Sequence, residues 1–156
     1  MNKPNISDLG DHVGYWLRCL SNFVSDSFTE RLAKEDVTVP QWVLLRTLYS
    51  HDNITLNQLA QRVGLDKSSV SRMVERLVQR ELINRAEGND RRSLGLSLTP
   101  TANKLVPRLA KHADLNDESF FKTLTQKQRK DFMGTIKQLL DANGWESAER
   151  GRYGIE

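Results

Sequence analysis

Cysteine is nearly missing from this chain. Cys19 is the only one among 156 residues, which excludes an internal disulfide and a zinc site built from a cysteine cluster. No stretch approaches the roughly eighteen consecutive apolar residues of a membrane span, so no membrane partner is expected. Met1-Asn2-Lys3-Pro4-Asn5 offers no apolar signal core, and a cytoplasmic protein is the expectation. Phosphate loops, nucleophile elbows and paired metal motifs are also absent. His12, His51 and His112 show no metal-ligand spacing. An enzyme therefore lacks a supporting constellation, and neither a cofactor nor a metal is expected. No repeat and no low-complexity segment interrupts the chain.

What is present is unevenly placed. The net charge is only +3. Between residues 55 and 98 the bases are Arg62, Lys67, Arg72, Arg76, Arg80, Arg85, Arg91 and Arg92. The acids are Asp66, Glu75, Glu81, Glu87 and Asp90. That excess of three accounts for the whole net charge, so the remainder balances to zero. A solvated surface would explain such an excess alone. Its coincidence with the helix pattern below points to a footprint for phosphate.

The apolar spacing predicts a first helix over residues 8–34, with Val13, Trp16, Leu17, Leu20, Phe23, Val24, Phe28 and Leu32 at three- and four-residue steps. Pro40 fits the first turn of a second helix. Its Trp42, Val43, Leu45, Leu48 and Tyr49 spread too widely for one stripe and predict burial on several sides. Thr55 with Gln58 forms a capping box that starts a short third helix. That helix ends near Gly64, and Asp66 can cap a fourth that runs to about Glu81. Residues 83–87 and 93–98 read as two strands joined through Gly88-Asn89, with Leu94, Leu96 and Leu98 at period two. Thr99-Pro100 starts a fifth helix to about Phe121, which Pro107 should bend. A second capping box, Thr125 with Gln128, opens a sixth, whose apolar face is Phe132, Ile136, Leu139 and Leu140. Asn143-Gly144 ends it.

The expected division is a dimerising N-terminal helix in 1–34, a DNA-binding unit in 35–98, dimerisation helices in 99–144 and a frayed tail in 145–156. The third and fourth helices form a helix-turn-helix. Leu59, Ala60, Val63, Val70 and Met73 can lock them together, and Gly64 suits a turn of positive φ. Lys67, Ser68, Ser69, Ser71 and Arg72 then present donors at the front. Arg72 is long enough for a bidentate contact to guanine. Asp90-Arg91-Arg92 sits at the hairpin tip, where an arginine can enter a narrow minor groove. Asp90 can hold Arg92 extended. With Thr55 and Arg76, these residues make up the candidate contacts to double-stranded DNA. A plain helical hairpin with solvated arginines remains the alternative for each half taken alone.

The order of helices, Val39-Pro40-Gln41-Trp42, the lock around Gly64, the Asp-Arg-Arg wing and Leu98-Thr99 together resemble the MarR family of bacterial transcriptional regulators. The resemblance runs from about Leu9 to Leu140. It implies a mainly α fold with a small β-hairpin wing: a winged helix-turn-helix with flanking dimerisation helices. It also implies Arg92 as the minor-groove arginine with Asp90 as its partner, and major-groove positions at Lys67, Ser68, Ser69 and Arg72. The family usually carries a glycine just after Leu98-Thr99, where this chain has Thr101-Ala102-Asn103. A homodimer also follows from the apolar content of the outer helices, which exceeds what one small wing domain can cover.

Family members often release DNA when an aromatic or phenolic acid binds between the dimer helices and the winged domain. His12, Tyr15, Trp16, Arg18, Trp42 and Arg46 supply aromatic walls and arginines for such a ligand. Core packing of Trp16 and Trp42 is the competing reading. Cys19 reads either as a small buried hydrophobe or as a thiol activated by Arg18. The peroxide-sensing branch places its cysteine near Gly14 in this numbering, more than a turn earlier. The resulting expectation is a repressor released from a pseudo-palindromic operator by an aromatic or phenolic ligand. The alternatives are a redox regulator acting through Cys19 and a winged-helix protein-interaction module.

Overall fold

The computed structural model describes residues 5–87 and 94–144. Six helices and three short strands follow in the order α1 Val13–Leu32, α2 Val39–Ser50, β1 Ile54–Thr55, α3 Leu56–Val63, α4 Lys67–Gln79, β2 Ile83–Glu87, β3 Leu94–Leu98, α5 Pro100–Phe120 and α6 Gln126–Ala142. The first helix is shorter than its apolar spacing predicts. His12 is extended, with φ −95° and ψ 115°, and separates α1 from a 3-10 turn over Leu9–Asp11. A second 3-10 turn, Ala33–Glu35, closes its other end.

Local chemistry sets most of the helix starts. Thr38, Thr55 and Thr125 each accept a hydrogen bond from the backbone N–H three residues on, and the glutamine there accepts one back. Thr99 and Asp66 cap α5 and α4 through one such bond each. Gly64 ends α3 with φ 67°, the turn its position requires. α4 stops at Gln79 rather than Glu81, because Glu81 itself turns left-handed with φ 55°. α5 runs through Pro107.

The sheet is antiparallel in the order β1-β3-β2. Residues 83–98 therefore supply only two of its strands. The third is β1, where Ile54 and Thr55 pair with Leu96 and Gly95. Of the alternating leucines, Leu96 and Leu98 are buried while Leu94 faces out. The expected Gly88-Asn89 turn and the 145–156 tail lie outside the described residues.

One core joins Leu44, Leu45 and Leu48 of α2 with Leu59, Val70, Val74, Leu77, Ile83, Leu96 and Leu98. Ala102, Leu105, Val106 and Leu109 extend it along α5, and Leu32 enters it from the end of α1. α2 is central, as its spread of apolar residues implies, although Tyr49 is exposed. α1 and α5 are further joined by Asn116, fully buried, whose Oδ1 accepts from Ser27 Oγ at 2.7 Å. α6 has no buried side chain at all: Phe132, Ile136 and Leu140 are half-covered and Leu139 is exposed.

Candidate nucleic-acid interface

The rotation of α4 about its own axis is fixed by Val70, Val74 and Leu77, each fully buried. Steps of about 100° per residue then turn Ser68, Arg72, Glu75 and Arg76 outward, and all four are exposed. Ser69 N–H donates to Asp66 Oδ1 at 2.9 Å. The Ser69 hydroxyl, then its backbone N–H, hold the Asp66 carboxyl below its usual pKa, and the Arg72 charge adds to this. Arg72 Nη2 lies 3.4 Å from Ser69 Oγ. The sequence candidates Lys67, Ser68, Ser69, Ser71, Arg72 and Arg76 thus share one helix. Ser69 and Ser71 are half-covered, the others exposed.

Thr55 stands on the neighbouring flank, at the start of α3. Its hydroxyl accepts from Gln58 N–H at 3.2 Å, so that oxygen serves the cap. A cleft of about 280 Å³ separates this flank from α4, lined by Thr55, Asn57, Lys67, Arg85 and Leu94 among others. On the opposite flank a wider groove of about 530 Å³ runs between α4 and the start of α2, with Arg76, Gln79, Arg80, Thr38 and Gln41 on its walls. A helix seated in a major groove has a phosphate backbone on each side. Both flanks here carry basic side chains suited to that.

Asp90, Arg91 and Arg92 lie outside the described residues. The base of the wing is described, and it holds a pair the sequence reading missed. Arg85 Nη2 of β2 donates to Glu75 Oε2 of α4 at 2.8 Å. This ties the wing to α4. Glu75 could have been found from its place one turn after Arg72. Its partner could not, since nothing local marks Arg85.

The aromatic-acid candidates are scattered within one chain. His12 occupies the break before α1. Trp16 is 58 % exposed, donates from Nε1 to Gly10 O at 2.8 Å, and stands edge-on to Tyr15. Trp42 is half-buried against Phe28. Trp16 and Phe28 are twelve positions apart on α1, or roughly 18 Å at the helical rise, so a single chain does not bring the two tryptophans together. Arg18 is exposed on α1. Arg46 donates to Ser50 Oγ and sits over the Tyr49 ring at 5.8 Å. Cys19 is half-buried one turn after Tyr15, and its hydrogen bond and charge raise the phenol above its usual pKa. Among the described residues no cluster could hold a metal ion, and no helix is long and apolar enough to cross a membrane.

Residues 37–94, from the end of the linker after α1 to the start of β3, match the sequence profile of the MarR family. That segment is a MarR-family domain. The chain is a winged-helix, DNA-binding transcriptional regulator. Among its relatives, the HTH-type transcriptional regulator SarZ of Staphylococcus haemolyticus is 23% identical over 138 residues, covering 88% of this chain and 92% of its own. The fold matches that of Bordetella bronchiseptica BpsR, whose DNA binding is regulated by 6-hydroxynicotinic acid, with a TM-score of 0.78, 24% identity and coverage of 87% and 99% of the two chains. It also matches a cysteine-to-serine mutant of Escherichia coli MarR in complex with operator DNA, with a TM-score of 0.79, 22% identity and coverage of 86% and 99%.

Proposed function

We propose that this chain acts as a homodimeric repressor that reads a pseudo-palindromic operator and is released by a small aromatic or phenolic acid. The observation that carries the DNA half is the presentation of α4. Three buried side chains lock its back, Asp66 caps its start, and Ser68, Arg72 and Arg76 are left facing outward. Lys67, Ser68, Ser69, Ser71 and Arg72 are assigned to the major groove. Thr55 and Arg76 go to its edges, and Asp90, Arg91 and Arg92 to the minor groove. Two heads about one helical turn apart would read an inverted repeat.

The effector half rests on His12, Trp16, Arg18, Trp42 and Arg46. Only a dimer could gather these residues. The DNA binding of BpsR is regulated by 6-hydroxynicotinic acid, an aromatic acid, which supports this ligand class.

The test is a duplex selected from a random pool by the wild-type protein. About four phosphate contacts would give roughly a hundredfold loss of affinity over a fourfold rise in salt. Arg92→Ala should weaken binding with little change in base preference, because the minor-groove code is degenerate. A flat salt response, as a protein-interaction module would give, refutes the DNA assignment. Titration of aromatic acids to millimolar concentration with no release of the duplex refutes the effector class.

A further inference from the structure

We propose that the consecutive carboxylates Glu35 and Asp36 are positioning residues that set the angle of the reading helix relative to the dimer helices. The inference rests on the DNA-reading function proposed above. Both residues sit in the short turn between α1 and α2, which is anchored on either side by buried Leu32 and Val37. Val37 N–H donates to Leu32 O at 3.4 Å and Asp36 N–H to Ala33 O at 3.2 Å. Asp36 is left-handed, with φ 53°, so the chain reverses between the two side chains and each meets a different helix.

Glu35 turns to α5. Its Oε2 accepts from Arg108 Nη2 at 2.9 Å and its Oε1 from Arg108 Nε at 3.3 Å. His112 Nε2, one turn further along α5, lies 3.5 Å from Oε1. A two-point contact fixes direction as well as distance. Asp36 turns to α4, its side chain 95 % exposed and its Oδ2 3.4 Å from Arg80 Nη2. Arg80 is the C-cap of α4, where a cation also suits the helix dipole. The next residue closes the ring. Glu81 carbonyl accepts from the Thr99 hydroxyl at 2.8 Å, and Thr99 caps α5. The end of α4 is therefore held to α5 twice, once directly through Thr99 and once through the Glu35-Asp36 turn. The buried face of α4 seats the helix on the core, and these two holds bias the tilt of its end. In a dimer any change in that tilt changes the separation of the two reading helices.

The experiment uses the full-length protein and the inverted repeat it enriches from a random duplex pool. The probes are that duplex, versions with one base pair inserted or removed between the halves, and a single half-site. Wild type should prefer the native spacing. Glu35→Gln and Arg108→Gln should each narrow that preference about three- to fivefold, the reach of a solvent-facing ion pair, and leave half-site affinity unchanged. The double variant should do no more than either single one, because both act through one contact. An unchanged spacing ratio in Glu35→Gln overturns the proposal, as do additive effects in the double variant. Failure of the wild type to enrich any duplex instead sinks the DNA reading, and this inference with it.

Discussion

Arg72 meets the two demands on a base-reading side chain, a fixed root and a free end. Its root is fixed because the neighbouring Val70 and Val74 are fully buried. Its end faces outward beside Ser69. Arg72→Ala should therefore relax preference at one base pair per half-site, with a loss of about 1–3 kcal/mol in discrimination there. Competition between the selected duplex and its single-base variants reads this directly, and equal discrimination in the two proteins would refute the assignment. Glu35 supports a prediction on stability. Arg108, through its hydrogen bonds and then its charge, and His112 beside it, hold the Glu35 carboxyl below the ordinary range. A depressed carboxyl stabilises the fold fully above the unfolded pKa, about 4.3 for glutamate, and loses that effect as pH falls through the folded value. Glu35→Gln should thus lower the melting temperature slightly near pH 7, and the difference should vanish once the pH has fallen well below the folded pKa. The neutral-pH loss should stay under about 1 kcal/mol, since the Arg108 side chain is 59 % exposed. A deficit that persists in acid would place the effect in packing instead.

β1 shows how an element can be fixed by a partner far along the chain. Its two residues pair with Leu96 and Gly95, some forty positions later. Asn53, left-handed at φ 55°, folds its side chain over Gly95 just before the strand. A Cβ on residue 95 would stand 1.8 Å from Asn53 Oδ1 and 2.8 Å from its Cγ. Gly95→Ala should force the exposed Asn53 side chain to rotate away, at a cost of about 0.5–1.5 kcal/mol. Asn53→Gly removes the obstacle and suits the positive φ, so the double variant should recover most of the denaturant midpoint. No recovery would mean that the strand itself rejects the methyl group. This contrast also explains what the sequence could reveal. Caps at Thr55, Asp66, Thr99 and Thr125 and the turn at Gly64 were legible because their chemistry spans three or four residues. β1 was not, because a two-residue strand has no period of its own. The rotation of α4, and with it the outward face of Ser68 and Arg72, was legible from apolar spacing. The Glu75–Arg85 and Glu35–Arg108 pairs were not, because each joins elements whose approach is decided by the core between them.

At the scale of the whole molecule, the single chain leaves much apolar surface uncovered, and that surface is concentrated. Leu9, Val13, Trp16, Leu17 and Phe23 are exposed along the first turn and α1, and Met133 and Leu139 along α6. α6 is seventeen residues long with no buried side chain, and an isolated helix of about that length is marginal in water. Its order therefore calls for a second surface. The homodimer proposed above would supply one, since each copy would offer the same faces to the other. Phe23→Glu together with Leu139→Glu would put charges into that contact. The double variant should sediment as a monomer and lose helical signal from α6. Its winged head should keep its fold, because neither residue touches the buried core around α4. Its affinity for the selected inverted repeat should fall to that of a single half-site, while the half-site affinity itself stays at the wild-type value. A variant that still sediments as a dimer would remove α1 and α6 from the interface. The pairing of the heads would then have to come from a surface that the exposed apolar side chains do not mark.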